Sequence, residues 1–187
     1  AGKGDGPAAS GLDPKPAVHA NIPFEKVPTD YLYNVIYYGG RAVGKSPTMP
    51  YWGLSNFSPP GFEAEGVFWP TVEHYFQAQK FEFPTIRERI RRAATPNEAR
   101  LLGQSREFEI RPDWEEVRDD VMLRALRHKF AVPSARALLS ETSDRPLIES
   151  SPYDHYWGAG QDGSGLNRLG QLLMKVRSEL GQPPAEP

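Results

Sequence analysis

The 187-residue chain contains no cysteine, which excludes disulfides, thiolate nucleophiles and Cys-ligated zinc. Neither sign of charge is in large excess. Twenty-two Lys and Arg stand against 24 Asp and Glu, a net charge of −2, so a strongly basic nucleic-acid coat is excluded while a local basic patch is not. No run approaches the roughly 18 consecutive apolar residues of a membrane-spanning helix. The N-terminus lacks the apolar core of a signal peptide, and the chain begins at Ala1 rather than Met, so either a processed start or an arbitrary sequence boundary is expected. Four histidines are scattered without the short fixed spacing to acidic ligands that a metal site needs, so neither His74 nor His155 is expected to bind one. No serine has the setting of a nucleophile elbow. A soluble, cytoplasmic protein without a metal or redox cofactor and without membrane contact is the expectation.

Proline and glycine, by contrast, are plentiful, 19 and 17, and the prolines crowd toward the ends. Residues 1–30 are rich in Gly, Pro, Ala and Asp with no sustained apolar period, and are expected to be a flexible leader; 182–187 form a second tail. The span 31–181 is one domain. Tyr31–Tyr38 is aromatic and β-branched, hence a strand, and Glu65–Trp69 is a second strand hairpinned with Gly61–Ala64. Helices then dominate. One follows Pro70 over Thr71–Phe81. A second opens on the capping box Thr95-Pro96-Asn97-Glu98 and ends at Gly103. A third starts at Asp113 as cap and runs to Pro133 with an apolar stripe through Val117, Val121, Ala125 and Phe130; Ser134–Glu141 and Asn167–Leu180 complete the set. Strands do not alternate with helices, so the fold class is mainly α (α+β), helices with a small antiparallel β-sheet, and not a doubly wound sheet.

Three segments carry more polar and aromatic chemistry than a core requires. On the helix after Pro70, Glu73, Gln77 and Lys80 share a face, which reads either as a solvated stripe or as a cleft wall. Glu73 lies in the first turn, where the helix N-terminus favours its ionised form and suits it to stabilise charge or act as nucleophile. Residues 158–165 are glycine-rich and lead into a helix that starts at Asn167-Arg168. They form either a plain connector or a phosphate cradle in which Arg168 and the Gly163–Gly165 amides hold the anion. Tyr51, Trp52, Trp69, Tyr153, Tyr156 and Trp157 are either core or a stacking platform for a base.

Taken together these strings resemble the NADAR family, also called YbiA-like, over roughly residues 33–180. The resemblance rests on Gly53-Leu54-Ser55-Asn56-Phe57, on the run from Trp69 to Phe81 (WPTVEHYFQAQKF), on Trp114 and Met122–Phe130, and on Asp154-His155-Tyr156-Trp157-Gly158. Asp162-Gly163, Asn167-Arg168-Leu169-Gly170 and Leu173-Met174-Lys175-Val176-Arg177 follow in order. It implies a mostly helical fold with a small sheet and an N-glycosidase that cleaves a ribose C1′–nitrogen bond. Two nucleotide-type substrates go with the family: an ADP-ribosyl group on guanine in nucleic acid or a related species, and a ribosylamino-pyrimidine phosphate of early riboflavin synthesis. Carried over by motif, Glu73, Trp114 and Asp154 are the site residues, and a lysine, Lys80 or Lys129, forms an imine with the sugar in some members. Asn56, Trp157, Gly158, Asp162, Gly163, Asn167 and Arg168 are expected to bind substrate. ADP-ribose is the preferred ligand because Gly39–Met49 extends the family pattern, as a pocket reshaped around a larger group would. A non-catalytic reader of ADP-ribose or nucleotides is the competing function.

Overall fold

A computed structural model describes residues 36–38, as backbone, and 51–181. The leader 1–30, the tail 182–187 and the Gly39–Met49 extension lie outside the described residues. The element order is β1 (Ile36–Tyr38), a 3-10 turn (Trp52–Leu54), β2 (Phe62–Ala64), β3 (Val67–Trp69), α1 (Val72–Ala78), α2 (Pro84–Arg91), α3 (Pro96–Gly103), α4 (Trp114–Ala131), α5 (Pro133–Glu141), β4 (Leu147–Glu149) and α6 (Arg168–Gly181). Among the described residues six helices and two short strand pairs make a mainly helical α+β fold, as expected.

The antiparallel pair is the β2–β3 hairpin, Phe62 opposite Trp69 and Ala64 opposite Val67. Its two-residue turn is Glu65-Gly66, both with positive φ (55° and 75°), so Glu65 belongs to the turn rather than to the strand. The second pair is parallel: β1 lies beside β4 with Ile36 opposite Leu147 and Tyr38 opposite Glu149. Leu147–Glu149 has only three residues, all buried, too short a signal for periodicity to reveal.

Local rules account for most helix ends. The Thr71 hydroxyl caps α1 by accepting from the His74 amide. Thr95 caps α3 in the same way through Glu98 N (3.1 Å), and the Glu98 carboxylate returns to the Ala94 amide. Asp113 does occupy the cap position of α4, but its carboxylate caps nothing; Arg111 grips both of its oxygens, at 2.6 and 2.8 Å. α1 stops at Ala78, three residues short of the expected Phe81. Pro84 opens α2, a helix without a capping motif, whose Ile86 and Ile90 point inward four residues apart.

The core joins Tyr75 and Val72 of α1, Ile86 and Ile90 of α2, Met122, Leu126 and Phe130 of α4, Leu139 of α5, and Leu172, Leu173 and Val176 of α6. Each such side chain fully removed from water contributes roughly 1.5–3 kcal/mol before entropy. α1 sits centrally, every one of its residues buried, with α3, α2 and α4 around it. This burial decides the solvated-stripe question: Glu73 and Gln77 face protein. Among the described residues no helix is long and apolar enough to cross a membrane.

Candidate active site

One backbone contact brings the opening motif to α1, and one buried side chain of α4 supports it. The Glu73 amide donates to the Asn56 carbonyl (3.1 Å), and the turn carrying Asn56 is held from below by Lys129. Lys129 has no exposed surface. Its Nζ donates to Ser55 O (2.8 Å), Ser58 O (3.1 Å) and Ser58 Oγ (2.8 Å), which engages all three of its protons. Burial pulls its pKa down to about 7. Lys129 is an anchor for this turn.

Glu73 is 6% exposed, and its Oε1 accepts a 2.8 Å hydrogen bond from Gln77 Nε2, one turn along. Burial raises its pKa; the Gln77 bond and the charges of Lys80 and Arg100 pull the other way, and Asp154 adds to the rise. Desolvation thereby opposes the expected preference of the helix N-terminus for the ionised carboxylate, worth a few tenths of a kcal/mol to about 1. Lys80 sits in the turn just past α1. Burial lowers its pKa against the opposing attraction of Glu73 and Glu115. Its Nζ lies 5.9 Å from the ring centroids of both Phe76 and Trp114 and 3.5 Å from the Gly103 carbonyl.

The aromatic wall is continuous. Phe76 packs on Trp114 (centroids 5.0 Å) and edge-on against Trp157 (5.4 Å), and Trp157 meets Tyr156 edge-on at 4.9 Å. Tyr156 in turn carries the Arg118 guanidinium 3.7 Å above its ring. Trp69 takes no part: it is core, edge-on to Tyr75 at 5.2 Å. Asp154 reaches this wall through a tight turn, its Oδ1 accepting from the Tyr156 (2.9 Å) and Trp157 (2.7 Å) amides.

Gly103 explains the tightness. It ends α3 without adopting a left-handed conformation, and a Cβ there would stand 2.1 Å from Gln77 Oε1. Glycine is required because α3 presses directly on the side chain that holds Glu73.

The glycine-rich segment answers differently from the expected phosphate cradle. The amides of Leu166, Asn167, Arg168 and Leu169 donate to the carbonyls of His155, Gly158, Tyr156 and Trp157, and that of Gly165 donates to Ala159 O. Asp162 is exposed and binds its own neighbour, accepting from Ser164 N and Oγ. Gly163 and Gly158 are buried within the loop. The Asn167 amide clamps β4, accepting from Glu149 N and donating to Leu147 O, both at 2.9 Å. Arg168 is taken by Asp119 (2.5 Å) and Gln171 (2.9 Å). The donors at this helix start are spent on the protein itself, so these residues shape the loop that presents Asp154 and Trp157.

His74 is core: Nδ1 meets the Thr71 hydroxyl at 2.8 Å and Nε2 the Ala93 carbonyl at 3.1 Å, and burial lowers its pKa. No metal-ligand cluster occurs among the described residues. Two surface cavities of about 320 and 310 Å³, one bounded by Pro59, Pro60 and Leu138 and the other by Trp69, Pro84 and Arg91, lie apart from Glu73 and Lys80.

The NADAR domain family matches residues 44–181. The chain belongs to the NADAR family. It is 46% identical over 136 residues to "N-glycosidase YbiA" of Escherichia coli, covering 72% of this chain and 85% of that one. It is 43% identical over 149 residues to "Riboflavin biosynthesis protein PYRR, chloroplastic" of Zea mays, covering 71% of this chain and 24% of that much longer protein. The NMR structure of the Escherichia coli protein YbiA superposes with a TM-score of 0.69 at 42% identity, covering 79% of this chain and 84% of that one. This NADAR chain is accordingly an enzyme of the glycosidase class. Reading the motifs for chemistry passes over Phe76 and Arg118, and it takes Gln77 only as a member of the Glu73 face and Gly103 only as a helix end. Phe76 and Gln77 stand inside the family string, and Arg118 stands four residues after Trp114 on one helix face, a spacing that could have found it.

Proposed function

We propose that the chain hydrolyses the bond between a ribose C1′ and a nitrogen at the Glu73–Lys80 cluster, and that the group removed is ADP-ribose from a guanine base. The observation that carries the chemistry is a buried carboxyl coupled to a half-buried amine under an aromatic wall, each biased toward its neutral form. A neutral Lys80 amine has the lone pair that attacks C1′. As that bond forms, the C1′–nitrogen bond breaks, and its electron pair goes to the leaving base, which takes the proton of Glu73. Loss of the proton on Nζ and opening of the ribose ring at O4′ give the imine. Water then adds at C1′ and releases the sugar and the amine. Asp154 holds a ribose hydroxyl through its second oxygen, and Trp114 and Trp157 flank the sugar and base.

A second reading, a ribosylamino-pyrimidine phosphate as substrate, is favoured by the names of the Zea mays and Vibrio vulnificus relatives, both riboflavin biosynthesis proteins. The exposed ring of Tyr153 beside Asp154, 74% accessible, favours the first, since it offers a stacking surface for a flanking base. Single-turnover assays on both substrates separate them by the released species, ADP-ribose or ribose phosphate. Glu73→Gln and Lys80→Met are each expected to lose about a hundredfold or more. Borohydride added during turnover is expected to leave a sugar adduct on Lys80. Near-wild-type turnover by either variant overturns the assignment.

A further inference from the structure

We propose that Arg118 is the phosphate-binding residue of this site, and that Glu115 holds its place on that guanidinium until a phosphorylated substrate arrives. The inference rests on the reading of a ribosyl substrate, and it deepens that reading by naming where the substrate's phosphate goes. Both candidate substrates carry a phosphoryl group on the far side of the ribose from the scissile bond, so the site needs a cation about one pentose away from Lys80.

Arg118 meets that requirement. It lies four residues along α4 from Trp114, about 6 Å of helix rise, on the same face. Lys80 stands over the Trp114 ring, and Glu115 acts on Lys80 as well as on Arg118, so the three side chains share one neighbourhood. The guanidinium is stacked 3.7 Å above Tyr156, which fixes its plane and presents its terminal N–H groups edgewise, the arrangement that a phosphate accepts in a fork. Its Nε is buried with no hydrogen-bond partner among the described residues.

The rest of the cluster is already committed. Asp119 takes Arg168 through one oxygen and the Tyr156 hydroxyl through the other, at 2.5 and 2.6 Å, so Arg168 is not free to grip an anion without breaking that bridge. The amides of Ser164 and Gly165 in the glycine-rich loop and of residues 166–169 at the helix start are spent internally. Arg118, by contrast, has one charged partner among the described residues besides its contact with the Tyr156 hydroxyl: Glu115 at 2.7 Å, in an i,i+3 pair whose carboxylate side chain is 73% exposed. A pair so open to water is weak. A phosphate carries more charge, offers three acceptor oxygens, and displaces it.

The experiment titrates inorganic pyrophosphate and ADP-ribose into the full-length chain by calorimetry, with melting curves to confirm folding. Arg118→Met is expected to weaken both ligands about tenfold or more. Arg118→Lys keeps the charge but loses the stacked fork and should recover part of that loss. Glu115→Gln, at an exposed position, should bind both ligands several-fold more tightly. Glu116→Gln, which makes the same change of net charge one residue away, should not. In turnover, Arg118→Met should raise KM for the phosphorylated substrate with little change in kcat. Unchanged pyrophosphate affinity in folded Arg118→Met, or equal tightening by Glu115→Gln and Glu116→Gln, overturns the proposal. The pyrophosphate arm needs no catalysis, so it stands or falls separately from the proposed reaction.

Discussion

Replacing Lys129 by methionine isolates the energetics of the anchor beneath the opening motif. The ammonium is fully buried, donates to three oxygens of the Ser55–Ser58 turn, and has its pKa pulled from 10.5 to about 7 by burial. In the unfolded chain the same lysine titrates near 10.5. Between those two values the unfolded state binds more protons than the native one, so stability rises with pH across the window. The burial penalty is complete below pH 7, shrinks as pH rises, and vanishes above 10.5. At about 1.4 kcal/mol for each pH unit, that interval is worth roughly 5 kcal/mol, an upper figure because the three acceptors favour the charged form. Methionine abolishes the titration and takes the Nζ donor from the Ser58 carbonyl, a loss of roughly 1–3 kcal/mol that does not depend on this proton, while the Ser55 carbonyl keeps the Ser58 amide and hydroxyl. The stability of Lys129→Met relative to the native chain should therefore fall by several kcal/mol between pH 7 and 10.5, whatever its sign at the start. Urea unfolding of both proteins at intervals across that range measures the difference. Parallel pH profiles would refute the reasoning, because they would mean that Lys129 titrates alike in both states.

Gly103→Ala should drive Gln77 off the Glu73 carboxyl; with that pKa-lowering bond gone, the alkaline limb of the pH–rate profile should move upward, and an unmoved limb would remove Gln77 from the positioning of Glu73. Asn167→Ala loses both hydrogen bonds to β4 at a residue with φ of 49°, and should cost roughly 3 kcal/mol, read as a melting temperature lower by about 6–12 °C. Thr95→Ala removes a real cap and should cost about 1 kcal/mol in urea unfolding, whereas Asp113→Ala removes no cap and should cost less.

The helices were legible wherever local chemistry sets them: the Thr95 capping box, the stripe of α4 and the proline that ends it all agree with the structure. α2 escaped notice because it opens without a cap motif and buries only two isoleucines. β4 escaped because three buried residues carry no period, and its parallel partner β1 lies more than a hundred residues away. The face shared by Glu73 and Gln77 was readable from spacing, but its burial was not, since that depends on α3 and α4 closing over it. For the same reason the desolvation that opposes ionisation of Glu73 was not readable: the helix terminus is local information and desolvation is tertiary. The glycine-rich loop misled in the opposite sense. Its composition announces available amides, and only the fold reveals that they pair with one another.

Burial of both members of the Glu73–Lys80 pair has a consequence that neither shift alone would have. In water such a pair is a carboxylate and an ammonium at neutral pH. That form is inert for the proposed reaction, because the ammonium has no lone pair to attack C1′ and the carboxylate has no proton for the departing base. Desolvation pushes the carboxyl up and the amine down, moving the two titrations toward one another and so favouring the arrangement that the proposed reaction needs. Their mutual attraction opposes this, and Gln77 opposes it further by stabilising the Glu73 anion, so the acid is restrained from holding its proton too tightly to give it up. The walls that maintain the balance are apolar or aromatic: Phe76 and Trp114 beside the amine, Trp157 beyond them. A polar side chain in place of Phe76 would return both groups toward their solution forms. It should thus depress the rate with both charges still present, a loss that no count of catalytic side chains would anticipate.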